Sequence, residues 1–178
     1  QDTHKVNETL RHGLVINVIT ALVLVMLVMG AKQLLYHLDQ PVEVIVLSIP
    51  YLEIITFSII PVLVFQTFRQ FSEGLSNTWM PMVIVLSCNV VNIAMNYVLI
   101  NGHFRFPALG LNGAGWATLI SRVIMGGAIA AFIYWSPGFK SYRPGFHIGN
   151  YSRELFNKML HIGIPAGAQF IFEVAAFD

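Results

Sequence analysis

Five long apolar runs, roughly Gly13 to Ala31, Pro41 to Phe68, Met80 to Ile100, Ala108 to Trp135 and Phe156 to Phe177, constrain what this chain can fold into. Each is close to the ~20 residues that cross a bilayer as a helix. Hydrocarbon offers the backbone no hydrogen-bond partners, so a spanning segment must be a helix or a strand of a closed barrel. The runs are too long for barrel strands and lack their strict alternation, which leaves helices. The expected fold class is therefore an all-α membrane protein, a polytopic transmembrane helix bundle with the lipid bilayer as its first partner. Composition agrees: 11% of residues are charged, against about 25% in soluble domains. The polar, mixed-sign start from Gln1 to Arg11 does not read as a secretory leader. The chain begins without Met and stops beside an apolar run, so it is expected to be a piece of a longer protein.

The connections are short except for Ser136 to Leu155, which carries SPGFKSYRPG and is rich in turn formers and basic residues. It is the candidate linker. Counting Lys and Arg in alternate loops puts Lys5, Arg11, Arg69, Lys140, Arg143, Arg153 and Lys158 on one side and Lys32 and Arg105 on the other. The positive-inside bias predicts that the first side, linker included, is cytoplasmic.

Polar groups inside apolar runs are the candidates for function, since a charged side chain at a helix centre costs about 2.5–3.5 kcal/mol to insert. Asn89, Asn92 and Asn96 fall within about 60° on the third helix at ~100° per residue, forming an amide stripe. Interhelical hydrogen bonding is one use of such a stripe. Depth suggests another. Asn96 lies five residues in from Asn101, and Thr118 five residues in from Gly113, so both sit ~8 Å below the outer end, with Asn92 about a turn deeper. Their oxygens suit a hard cation such as Na⁺, but neutral ligands leave the charge uncompensated, and a carboxylate from elsewhere is needed.

Other intramembrane groups are secondary candidates. Glu53 reads either as a buried hydrogen-bonded acid or as a cavity residue. Arg122 lies near mid-membrane and calls for an amide or acid partner. Glu43, beside Pro41, reads as an interfacial helix start. Pro50 and Pro61 share a face and predict kinks. The pairs Gly113/Ala117 and Gly127/Ala131 predict close helix packing. In the last run Pro165, Gln169 and Glu173 are spaced by four, and that stripe cannot face lipid without exposing the acid. Pro165 also leaves the His161 carbonyl without its helical donor.

No chemistry-bearing motif points to an enzyme. HExxH, GxSxG and GxxxxGK[ST] are absent, the six His are scattered, and Cys88 has no evident base. No cofactor and no nucleic-acid partner are expected.

Three stretches carry a resemblance: RQFSEGLSNTWMPM, then NVVNIAMNYVLINGHFRFPALGLNGAGWATLISR, then HIGIPAGAQFIFE. They are similar to the multidrug and toxic compound extrusion (MATE) family of secondary transporters, over about the family's third to seventh helices. The resemblance implies two six-helix lobes around a central cavity, joined by a cytoplasmic loop. On that reading residues 1–135 hold four helices of the N-terminal lobe, 136–155 are the inter-lobe linker, and 156–178 begin the C-terminal lobe. The full architecture would be a twelve-helix, multi-pass protein of the plasma membrane, in bacteria the inner membrane.

The resemblance further implies that Asn92, Asn96 and Thr118 help form a cation pocket whose acid comes from the family's first helix. It implies that Gln169 and Glu173 face the cavity between lobes, where Glu173 matches a cation-coupling acid of some members. The activity implied is antiport: amphipathic organic cations leave in exchange for Na⁺ or H⁺, each ion favouring one conformation. A lipid or polysaccharide flippase of related architecture is the alternative, expected to line its cavity with several arginines. A non-transporting membrane scaffold is another, in which the polar stripes are interhelical glue.

The charge asymmetry generates a topology test. In a Cys88→Ala background, a Ser141→Cys variant should resist an impermeant thiol reagent in intact cells and react once the cells are opened. Ready labelling of intact cells would reverse the orientation.

Overall fold

The computed structural model describes residues 3–37, 41–142, 156–161, 163 and 165. Among these every regular element is a helix: α1 (Thr3–Ala31), α2 (Val42–Phe57), α3 (Ile59–Gly74), α4 (Trp79–Asn101) and α5 (Leu111–Trp135), with 3₁₀ turns at Lys32–His37 and Pro137–Tyr142. Four segments are long and apolar enough to cross a bilayer: Val6–Leu34, Val42–Gly74, Trp79–Asn101 and Leu111–Trp135. Of the fifth expected helix, residues 156–161, Gly163 and Pro165 are described and helical, while Gln169 and Glu173 lie outside the described residues.

The third span is buried no more than the second, but the fourth is buried well beyond either, with a third of its most apolar window inside the protein. That span is α5, which packs against α2, α3 and α4, while α3 and α4 scarcely touch each other. Small residues explain the centrality of α5. Gly113, Gly115, Ala117, Ser121 and Gly126 are all buried on it. A Cβ at Gly113 would sit 2.5 Å from the Leu99 carbonyl oxygen of α4. At Gly115 it would meet Ile54 of α2 at 3.2 Å, and at Gly126 the Pro61 carbonyl oxygen of α3 at 3.2 Å. Three neighbours are thus received at three heights. Gly113/Ala117 behaves as the small-residue pattern predicts, whereas Gly127 is exposed with nothing near its missing Cβ, so the Gly127/Ala131 pair makes no such approach.

The second apolar run is not one helix. It breaks at Ser58, whose N–H is shared between the carbonyls of Ile54 (3.3 Å) and Ile55 (3.1 Å). The Ser58 hydroxyl donates to Ile55 O at 2.6 Å. Pro61, three residues on, has no N–H to offer the Phe57 carbonyl, which is the covalent reason for a break here. Pro50 sits inside α2 without interrupting it, so only one of the two expected kinks is an interruption.

Gly102 ends α4 in the left-handed region at φ 74°. A Cβ there would lie 2.7 Å from the Ala108 nitrogen, so the chain can fold back into α5 only with glycine or a displaced loop. At the other end of the bundle Leu10, Phe65, Phe68, Ile84, Cys88, Ile129 and Ile133 form a core that also takes in Phe139. The Phe139 ring lies 5.6 Å from that of Phe132 and 6.1 Å from that of Phe71. The start of the expected linker is therefore docked on the bundle; residues 143–155 lie outside the described residues.

Close approach at Gly113 makes a specific demand. Gly113→Ala should push α5 from α4 and lower stability by about 1–3 kcal/mol, as overpacking does, while Gly127→Ala should be neutral or slightly favourable. Thermal unfolding of the two variants in detergent, compared with the parent, measures the difference.

Candidate functional site

α3 and α4 stand apart over α5, and the gap between them is a cavity of about 420 Å³. Its polar wall combines Gln66 and Arg69 from α3, Asn89 and Asn92 from α4, and Thr118, Ser121 and Arg122 from α5. Spacings of three and four on each helix bring these groups to one face, as helical geometry requires.

The residues expected to form a cation pocket sit at this cavity. Asn92 and Thr118 line it, and Asn96 reaches it through Asn92, its amide nitrogen donating to Asn92 Oδ1 at 3.0 Å. The Asn96 Oδ1 atom is buried with no partner among the described residues. Thr118 donates its hydroxyl proton to Ala114 O at 3.0 Å. Its oxygen lone pairs stay available. Asn89 lines the same wall rather than a helix–helix seam. Beside the Arg69 and Arg122 guanidinium groups the chemistry on offer is neutral oxygen and amide, and no Asp or Glu among the described residues lines the cavity. No cluster of three or more His, Cys, Asp or Glu able to hold a metal occurs among the described residues.

Two secondary candidates find partners that the sequence reading did not anticipate. Arg122 Nη1 donates to the Ser58 hydroxyl at 2.5 Å, where an amide or acid was expected. The guanidinium thereby grips the break between α2 and α3, and Ser58 is completely buried. Glu53 is half-exposed rather than fully buried. It accepts a hydrogen bond from Lys32 Nζ at 2.7 Å in an ion pair whose side chains are 37% and 39% exposed. The pair ties the end of α1 to α2, and the flexible lysine stem makes it reachable from the interface.

Three lining residues escaped sequence reasoning. Arg69 was read as a loop residue, but α3 continues to Gly74, placing Arg69 at the cavity with its Nε 2.7 Å from Glu73 Oε1. Gln66, one turn before it, already lies inside the expected second run and shares the face of Arg69. Ser121 is 6% exposed, and its Oγ is buried without a partner among the described residues. The signal was present in TLISR, where Thr118, Ser121 and Arg122 fall at i, i+3 and i+4.

A second cavity of about 590 Å³ lies between α1, α3 and the helix that starts at Phe156, lined in part by Asn17, Thr67, Gln70 and Met159. Asn17 Nδ2 donates to Thr67 Oγ1 at 2.7 Å across it.

Comparison with known proteins adds family context. The MatE family model matches residues 1–98. A probable multidrug resistance protein NorM of Rhizobium meliloti is 32% identical over 99% of this chain, which covers 38% of that protein. Its counterpart in Bradyrhizobium diazoefficiens is 28% identical over 99% of this chain and 38% of its own length. A third, in Oceanobacillus iheyensis, is 34% identical over 72% of this chain and 29% of its own length. The chain thus spans well under half the length of the curated relatives it matches.

Half-exposed pairs such as Lys32–Glu53 contribute little, typically under ~1 kcal/mol. Glu53→Gln should therefore leave the melting temperature close to that of the parent protein, and far less changed than by Gly113→Ala. Calorimetry or thermal fluorescence of the purified variants checks the ranking.

Proposed function

The chain belongs to the MatE family, and from that premise we propose that it forms part of a multidrug efflux transporter which exports amphipathic organic cations in exchange for Na⁺ or H⁺. The observation that carries this reading is the buried Asn96 Oδ1, without a partner among the described residues, next to Asn92, which lines the cavity together with Thr118. A buried carbonyl oxygen without a donor costs about 1–3 kcal/mol. A cation shared by the amides and the threonine hydroxyl removes that cost. The carboxylate that balances its charge comes from a helix outside the described residues.

Coupling then follows from differential binding. An ion that prefers one arrangement of α4 and α5 shifts the conformational equilibrium only by the difference in its affinity for the two states. Gln169 and Glu173 belong to this proposal as a second, inter-lobe contribution. Protonation or cation binding at Glu173 switches its charge, and Pro165 loosens the helix beneath it.

The test uses the complete transporter. Na⁺ or acid should raise its melting temperature, and Asn92→Ala or Thr118→Ala should reduce that gain while leaving the ion-free value nearly unchanged. Cation-gradient-driven dye efflux should weaken in parallel. Undiminished ion-induced stabilisation in both variants would remove this pocket from coupling.

A further inference from the structure

The cavity between α3 and α4 holds one charge that the cation-exchange reading leaves unused. Arg122 carries a guanidinium with five N–H donors in a planar fork. Among the described residues its partner is the Ser58 hydroxyl, which takes one of those donors and is neutral. The cavity's other guanidinium, Arg69, already faces Glu73 at 2.7 Å. Among the described residues no Asp or Glu lines the cavity, so within them Arg122 has no such compensation. At mid-membrane depth an uncompensated charge calls for an anion.

A second observation points the same way. Ser121, the neighbour of Arg122 on α5, is buried to 6% exposure, lines the same cavity, and carries a hydroxyl oxygen with no partner among the described residues. A buried unpaired hydroxyl beside an incompletely used guanidinium makes a donor set for a group with two acceptor oxygens. The fork binds a planar carboxylate through two parallel N–H bonds, and the serine O–H supplies a third. The grip on Ser58 keeps the guanidinium turned toward the helix break and limits its freedom before a ligand arrives. Phe65, Val62, Val85 and Met125 supply apolar wall around this polar end, and about 420 Å³ is within the usual size of small-molecule sites.

We propose that Arg122 and Ser121 form a carboxylate-binding site in this cavity, one that takes the acid group of a zwitterionic amphiphile. The inference rests on the reading of the cavity as part of a transport route. An acidic side chain from a helix outside the described residues offers the same chemistry, and the test separates the two sources.

The complete transporter is purified and titrated with rhodamine B, which has a free carboxylate, and with its ethyl ester, which does not. Arg122→Gln should weaken rhodamine B binding relative to the ester by roughly tenfold or more, the usual consequence of losing a charged hydrogen-bond partner. Ser121→Ala should reduce the ratio less, and Ser58→Ala, which keeps the guanidinium, should largely preserve it. That pattern identifies the ligand's carboxylate. An unchanged ratio, with a melting temperature that falls in Arg122→Gln, recovers in Arg122→Lys and exceeds the fall in Ser58→Ala, assigns the carboxylate to the protein's own helices. An unchanged ratio with Arg122→Gln and Ser58→Ala equally destabilised overturns the site and leaves Arg122 a brace for the helix break. Binding is read without transport, so absence of cation-driven efflux in the parent protein would refute the transport reading separately.

Discussion

Close approach to the α5 backbone, from α4 on one side and from α2 and α3 on the opposite side, is the contact on which this arrangement rests. In lipid the hydrophobic effect gives helices no reason to associate, and association rests on packing and on interhelical polar contacts. Gly113, Gly115 and Gly126 let α4, α2 and α3 reach the α5 backbone directly. The helix is consequently the one most enclosed by its neighbours, although its composition is no more apolar than theirs.

The cavity is a by-product of the same arrangement. Because α3 and α4 both lean on α5 and hardly touch each other, a gap remains between them, floored by the α5 side chains that are not glycine. Thr118, Ser121 and Arg122 occupy that floor. The break at Ser58 bears on the same place, since it brings the Pro61 carbonyl against Gly126 and a buried hydroxyl against Arg122. A proline-induced break, a glycine contact and an arginine hydrogen bond thus sit within two turns of one another. Movement of α3 relative to α2 would alter the cavity wall through Gln66 and Arg69, which makes the break a mechanical link between the two halves of this long span.

Much of this was legible beforehand. Helical class followed from run length, because lipid forces backbone pairing within each segment. Depth counted at a fixed rise per residue set Asn96 level with Thr118 and Asn92 a turn deeper, whereas it is Asn92 that lines the cavity with Thr118, and Asn96 is joined to it through an amide hydrogen bond. Other features were hidden. Whether Pro50 or Pro61 interrupts its helix could not be read from the run; the break falls at Ser58, whose hydroxyl donates to the Ile55 carbonyl and accepts from Arg122 of another helix. The partner of Glu53 was invisible because Lys32 lies across a turn, and a long lysine stem reaches wherever the fold brings it. Arg69 was misplaced since an amphipathic helix end looks like a loop in composition.

The sequence by itself determined that the chain spans a membrane, how many runs the described part can thread through it, and which helices carry polar stripes. These are properties of single segments, fixed by local periodicity and by the cost of unpaired backbone in hydrocarbon. Tertiary structure decided which stripes meet, which glycines are contacts and which are bystanders, and that the arginine at mid-membrane depth is held by a serine hydroxyl. Those outcomes depend on the relative rotation and height of whole helices. Nothing in a single run specifies them, because each helix can present any face until its neighbours take their places.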